Sequence, residues 1–108
     1  MRLAVLQARS PAGDVEAACL DVETALAAAS AAKAVALVVP EVFLPGYNQP
    51  DIASRALSDD APVLQRLRQA ARATRVTLVV GYAEAADGKV YNAALSIGPD
   101  GQTIAQYR

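Results

Sequence analysis

The chain has 108 residues, enough for one domain with its own core and too few for two. Ten basic and eleven acidic residues are interspersed and leave a formal charge of -1, so no single-sign field favours nucleic acid or an anionic membrane as a partner. One cysteine and no histidine argue against an internal disulfide and a metal site, and we expect no cofactor. No apolar run approaches the roughly 20 residues of a membrane span, and Gln7 and Arg9 interrupt a signal-peptide pattern, so we expect a soluble, cytoplasmic protein.

The first 39 residues predict a strand, a helix and a second strand. Residues 2–8 contain a continuous apolar run closed by the breaker Ser10–Gly13, which indicates a short buried strand. From Asp14, a plausible N-cap, apolar residues recur at three- and four-residue spacings, as is typical of an amphipathic helix. The run Ala34–Val39 alternates too little to be half exposed, so we expect a central strand covered on both faces.

The segment from 49 to 74 is predicted to be partly helical. Residues 49–57 stay ambiguous, with a short helix as one interpretation. Residues 62–74 place their apolar side chains on one helical face and their arginines elsewhere, and Ser58–Asp60 are expected to supply the N-terminal cap.

Three consecutive strands are predicted over the last third of the chain. They cover residues 76–82, 90–97 and 103–107, and the turns Ala86–Lys89 and Pro99–Gln102 separate them. The element order therefore predicts an α/β fold with a mixed sheet, in which a parallel βαβ start is followed by antiparallel additions.

One acidic residue, Glu41, follows the second predicted strand directly. Pro40 ends that strand, so Glu41 lies at the carboxyl edge of the sheet, where α/β folds bind their ligands. The apolar residues on both sides are expected to remove water from this carboxylate and to favour its neutral form, as suits a general base. A helix cap or a salt bridge to an arginine remains the alternative interpretation.

The residues around Glu41 resemble the glutamate segment of the nitrilase superfamily, also called carbon-nitrogen hydrolases. Further segments match the same family in the same order, so the resemblance covers essentially the whole chain. The matching segments are Val5–Gln7, Pro40–Tyr47, Val80–Glu84, Tyr91–Ala94, Gly98–Gly101 and Ile104–Arg108.

The resemblance implies the first half of an α-β-β-α sandwich and a Glu-Lys-Cys triad that hydrolyses amides, nitriles or carbamoyl compounds. Glu41 matches the triad glutamate, whereas the lysine directly follows the Tyr-Arg found here at 107–108 and the cysteine lies further on. Cys19 falls on the apolar face of the first helix and is expected to be inert packing. We therefore expect residues 1–108 to be the N-terminal part of one hydrolase domain, inactive alone and homo-oligomeric when complete.

Several other residues carry weaker expectations. Tyr47 is a candidate substrate-binding wall of the pocket, and Gly81 is expected to allow close backbone approach. Glu84 is either a second acidic group near the pocket or a strand-end ion pair, and we favour the ion pair. Tyr91 and Asn92 are expected to support the site rather than to touch substrate. The alternative function is a non-catalytic α/β module that binds a partner at an unpaired sheet edge.

Overall fold

In the computed structural model, which describes all residues from 1 to 108, five strands form one mixed sheet in chain order. The first three strands are parallel to one another, whereas the third, fourth and fifth are antiparallel, so the predicted mixed sheet is confirmed. None of the helices combines the length and the apolar character needed to cross a bilayer. The elements are β1 (Leu3–Val5), α1 (Val15–Ala31), β2 (Ala36–Val38), α2 (Ile52–Arg55), α3 (Pro62–Thr74), β3 (Thr77–Ala86), β4 (Lys89–Ile97) and β5 (Thr103–Tyr107).

Helix α1 begins as its sequence predicts. Asp14 has an extended backbone, and its Oδ1 accepts a hydrogen bond from the Ala17 amide at 2.9 Å. The buried side chains recur at three- and four-residue spacings and are mostly small, which lets α1 pack against α3. Arg66 on α3 bridges the two helices by pairing with Glu16, at 2.6 Å, and with Glu23.

Helix α3 begins without the predicted side-chain cap. Its N-cap residue is Ala61, and the proline at the first helical position has no amide hydrogen to satisfy. The Ser58 hydroxyl donates to Asp60 at 2.6 Å instead of capping the helix, and Asp59 pairs with Arg68 at 2.8 Å. The expected cap at Ser58–Asp60 is therefore wrong, because these side chains bind elsewhere.

The two faces of the sheet differ in what covers them. On the covered face, alternate side chains of β2, β3 and β4 form one core with the apolar residues of α1 and α3. On the open face, Val5 is 70% exposed and Tyr107 is 78% exposed. The expectations of a buried first strand and of a second strand covered on both faces are wrong, because both long helices pack on the same side.

The β3–β4 hairpin is the most extensive part of the sheet. Its register runs without interruption from the Leu78–Ile97 pair to the Ala86–Lys89 pair. Asp87 and Gly88 make the predicted turn with φ values of 53° and 70°, which the two-residue hairpin turn requires. This hairpin gives the Glu41 segment a rigid strand to pack against.

Candidate active site

The Glu41 segment is fastened to β3 on both sides of the glutamate. Before it, the Val39 amide donates to the Val79 carbonyl at 2.8 Å. After it, Leu44 and β3 exchange two hydrogen bonds, from the Leu44 amide to the Gly81 carbonyl at 3.2 Å and from the Ala83 amide to the Leu44 carbonyl at 2.8 Å. Glu41 therefore lies at the carboxyl edge of the sheet, as predicted, in a loop with a fixed path.

Because Gly81 has no side chain, the backbone of this loop contacts β3 directly. A Cβ atom at Gly81 would lie 2.4 Å from the Pro40 carbonyl oxygen and 2.7 Å from the Glu41 Cα, distances that no side chain can occupy. The predicted close approach at Gly81 is confirmed. Val42, next to the glutamate, has a φ of 47°, and a branched residue in this left-handed region is strained. The glutamate thus occupies a tight, sterically demanding turn.

The Glu41 carboxylate is exposed and has one protein partner. The Asn92 amide nitrogen Nδ2 on β4 donates to Glu41 Oε1 at 2.6 Å. Phe43 and Leu44 turn into the core, which leaves the glutamate outside it. The expectation that apolar neighbours remove its water is therefore wrong, and Glu41 takes part in no salt bridge and caps no helix. The expected supporting role of Asn92 agrees with this contact.

Two cavities meet at Glu41. One, of about 380 Å³, lies between the loops that follow β1 and β2, and its walls include Ser10, Phe43 and Tyr47. The other, of about 280 Å³, lies on the open face, and Asn92 and Tyr107 are among its walls. Tyr47 stands in a cavity wall, as predicted, and is 62% exposed, while its part in substrate binding stays a prediction.

A larger depression, of about 490 Å³, lies elsewhere on the chain. Its lining is polar, includes Arg68, Arg72 and Asp100, and contains no residue of the Glu41 loop. Arg68 is already paired with Asp59 and also donates to the Thr103 hydroxyl at 3.3 Å. We therefore place the candidate site at the two smaller cavities, where a strained loop and an exposed carboxylate coincide.

Sequence reasoning missed the contribution of the loop after β1. Ala8, Ser10 and Pro11 line the first cavity together with Glu41. The signal was available, because β1 and β2 are parallel neighbours and their following loops must emerge at the same edge of the sheet.

Glu84 forms the ion pair that we favoured. Its carboxylate is 4% exposed and accepts hydrogen bonds from Arg108 Nε at 2.8 Å, Arg108 Nη2 at 2.9 Å and Gln106 Nε2 at 2.9 Å. The hydrogen bonds and charge of Arg108 hold the pKa of Glu84 below its usual value, against the opposing effect of burial. The Arg108 guanidinium also lies 4.2 Å from the centroid of the Tyr91 ring. Strand alternation puts Glu84 on the covered face and Asn92 on the open face, so Glu84 is not a second acid beside Glu41.

Cys19 packs in the core, as expected, and its chemical inertness stays a prediction. Its side chain is fully buried in α1, and Sγ donates to Glu23 Oε1 at 3.4 Å. Burial first, and then the hydrogen bond to Glu23, raise the pKa of the Cys19 thiol to about 12. The thiol also lies on the covered side of the sheet, whereas Glu41 faces away from it.

Known proteins share sequence and fold with this chain. A family model described as carbon-nitrogen hydrolase matches residues 2–108. A protein described as a hydrolase in the pqqF 5' region of Pseudomonas protegens is 41% identical over 75 residues, and the match covers 67% of this chain and 26% of that protein. An aliphatic nitrilase from Rhodococcus rhodochrous is 37% identical over 84 residues, covering 64% of this chain and 23% of the nitrilase.

The fold has equally clear relatives among solved structures. An amidase from Nesterenkonia sp. superposes with a TM-score of 0.88 and 26% identity, over 100% of this chain and 42% of the amidase. The chain thus spans about a quarter of the length of the two sequence relatives and less than half that of the amidase.

Proposed function

The chain belongs to the carbon-nitrogen hydrolase family, and on that premise we propose that the complete protein hydrolyses a non-peptide carbon-nitrogen bond in a small amide, nitrile or carbamoyl compound. The observation that carries the proposal is the placement of Glu41. An exposed carboxylate is held in a strained turn, by Gly81 below and Asn92 beside it, where two cavities meet. We propose Glu41 as the proton-transfer group of a Glu-Lys-Cys triad.

The chemistry assigned to Glu41 follows from its free oxygen. Asn92 occupies Oε1, and no protein group donates to Oε2. In the proposed reaction Oε2 takes the proton of a cysteine thiol supplied by residues outside the 108, and the thiolate attacks the amide or nitrile carbon. With an amide, the proton then passes to the leaving amine as the carbon-nitrogen bond breaks. Water hydrolyses the resulting thioester, which releases the acid and restores the thiol.

Strand geometry supports a place for the triad lysine. Tyr107 lines the open-face cavity beside Glu41, whereas the Arg108 guanidinium reaches Glu84 on the covered face. In an extended strand the next side chain returns to the face of Tyr107. A lysine following Arg108, as the family resemblance implies, would therefore enter the cavity that Glu41 lines. Its ammonium group would stabilise the oxyanion formed during attack.

The open face supports the proposal that residues 1–108 are the N-terminal part of one domain. Leu3, Val5 and Val38 expose apolar side chains there, and Val38 is in register with Val79, which lines the open-face cavity. A second sheet packed on this face would bury these side chains and enclose the site, as in an α-β-β-α sandwich. The triad cysteine would then come from that later part of the protein.

The substrate class is proposed from the cavity and from the relatives. The cavity that Tyr47 lines has apolar walls at Pro11 and Phe43 and polar groups from Ser10, Glu41 and Tyr47, a lining that suits a small compound with an apolar part and one polar amide or nitrile group. One relative is an aliphatic nitrilase and another an amidase. A structure of a glutamate-to-glutamine variant of that amidase shows acrylamide added at its active-site cysteine. Small aliphatic amides and nitriles are therefore the first compounds to test.

The test is a Glu41→Gln substitution in the complete protein, with ammonia release measured from a panel of small aliphatic amides and nitriles. We expect kcat to fall by roughly 10²-fold to 10⁴-fold, the usual contribution of a positioned proton-transfer group. The matched control is Glu16→Gln, which makes the same change at an exposed position on α1. Near-normal turnover by the Glu41 variant would remove this residue from the catalytic set.

The exposed apolar residues of the open face also give a reason to keep the association module as a second candidate. In that case the face binds a partner protein and the chain performs no hydrolysis. Analytical ultracentrifugation of the 108-residue chain distinguishes the two functions. A stable, monodisperse and inactive product favours the module, whereas aggregated material that a separately expressed second half rescues favours the hydrolase.

A further inference from the structure

Asn92 and Gly81 fix Glu41 from two directions. Gly81 admits the glutamate backbone against β3, and Asn92 holds the end of its side chain. The hairpin register pairs Gly81 with Ala94 and Ala83 with Asn92, so the two anchor points lie on the same face and one step apart along the ladder. Glu41 thus lies across the hairpin, from β3 to β4.

From this geometry we infer that Asn92 is a positioning residue that reserves one oxygen of Glu41 for proton transfer. The inference rests on the proposed function, because it needs Glu41 to be the proton-transfer group. Nothing else in the chain binds the carboxylate, and an exposed glutamate without a partner would sample several rotamers. A single strong donor on a rigid strand limits that freedom and keeps Oε2 directed away from β4.

The chemical nature of the donor suits this role. A carboxylate only accepts hydrogen bonds, so Asn92 must present its NH₂ group, which donates without carrying a charge. Glu84 shows the opposite arrangement, since the guanidinium of Arg108 favours its charged form. A neutral amide holds Glu41 in place without adding a positive charge beside its carboxylate.

The positioning role of Asn92 can be distinguished from a purely structural role by the effect of its substitution. Asn92 is exposed, so its replacement leaves no buried polar group without a partner. Its neighbours on the ladder keep their backbone hydrogen bonds whatever side chain stands at this position. The effect of a substitution at Asn92 should therefore appear in the chemical step rather than in folding.

The test uses the complete protein with Asn92→Ala and Asn92→Asp, and Ser96→Ala as the control on the same face of the same strand. We expect Asn92→Ala to lower kcat by roughly 10-fold to 100-fold while KM changes little, because a misplaced group slows the chemistry without weakening binding. Asn92→Asp keeps the shape but puts a second carboxylate beside Glu41. The acidic limb of its kcat/KM profile should therefore move to higher pH by about 1 unit.

Thermal unfolding of each variant shows whether the fold is kept, and the pH profile of Asn92→Asp gives a second readout if Asn92→Ala unfolds. Wild-type kcat in Asn92→Ala together with an unmoved acidic limb in Asn92→Asp overturns the inference. A complete protein that hydrolyses none of the amides and nitriles overturns the proposed function as well. An active protein with indifferent Asn92 variants overturns the positioning role alone.

Discussion

The two faces of the sheet carry glutamates in opposite environments. On the covered face, Glu84 is buried, and its carboxylate accepts three hydrogen bonds, two of them from a guanidinium. At the open face, Glu41 is exposed and has one neutral donor. The contacts of Glu84 favour its charged form and stabilise the fold. Glu41, in contrast, stays accessible to a ligand. The environment decides which glutamate can do chemistry.

The comparison also explains where rigidity is needed. Glu84 is fixed by its own contacts, so its surroundings need no unusual backbone. Glu41 has few contacts of its own, and its position depends on the backbone, through the missing side chain of Gly81 and the strained φ of Val42. Substitutions that alter the backbone should therefore affect the Glu41 region most.

The largest expected effect comes from Gly81→Ala. The new methyl group would meet the Pro40 carbonyl oxygen at 2.4 Å, and neither backbone can move without breaking the hydrogen bonds on both sides of Glu41. We expect the free energy of unfolding, measured by urea denaturation, to fall by about 3 kcal/mol. Hydrolysis by the complete protein should fall with it, because the glutamate shifts.

The matched control is Gly98→Ala. A Cβ there would approach Asp100 Oδ1 at 2.9 Å, and the Asp100 side chain can rotate away at the cost of one exposed hydrogen bond from the Gln102 amide. Equal losses of stability in the two variants would contradict the close approach at Gly81 as the cause.

The second prediction compares the same substitution at the two glutamates. Glu84→Gln removes the charge that Arg108 binds inside a buried cluster, and we expect the free energy of unfolding to fall by about 2 kcal/mol. Glu41→Gln should change it by less than about 1 kcal/mol, because the side chain is exposed and has one partner. Activity should show the reverse order. Similar stability losses in both variants would contradict the inference that Glu84 stabilises the fold more than Glu41 does.

The sequence predicted the elements well but not their faces. The mixed sheet, the hairpin and the position of Glu41 followed from apolar runs, turn residues and Pro40. The second strand was expected to be covered on both sides because its run lacks polar residues, yet Val38 is 39% exposed. A continuous apolar run predicts that both faces of a strand are buried. It does not predict which part of the protein covers each face.

The sequence predicted where Glu41 lies but not the surroundings of its carboxylate. Apolar residues beside Glu41 suggested a dehydrated carboxylate, but those neighbours turn inward and leave the glutamate outside. The contact with Asn92 depends on hairpin register and on the crossing over Gly81, which join residues 51 positions apart. Local sequence patterns do not predict such a contact, and the expected supporting role of Asn92 rested on the family resemblance.

The third prediction concerns the pH dependence of stability. The folded-state pKa of Glu84 is lowered, so its stabilisation is fully present above the ordinary glutamate pKa of 4.5 and is lost as the pH falls through the lower folded-state value. In urea denaturation from pH 7 down to pH 3, we expect wild type to lose stability more steeply than Glu84→Gln. The gap between them should close in the acidic range. A gap that stays constant with pH would contradict the ion pair as its source.

The smallest effect is expected at Cys19, the thiol on the covered side. Its pKa of about 12 keeps it protonated near neutral pH, and the α1–α3 core shields it from reagents. Peptide mapping after brief treatment of the native complete protein with iodoacetamide at pH 8 should find Cys19 unmodified. In urea the same residue should be labelled. Cys19→Ala should leave kcat unchanged and lower the free energy of unfolding by about 1 kcal/mol, because it removes one buried sulfur atom. Loss of turnover in Cys19→Ala would contradict this prediction, as would labelling of Cys19 in parallel with loss of activity. Either result would place the reaction on the covered side of the sheet and not at Glu41.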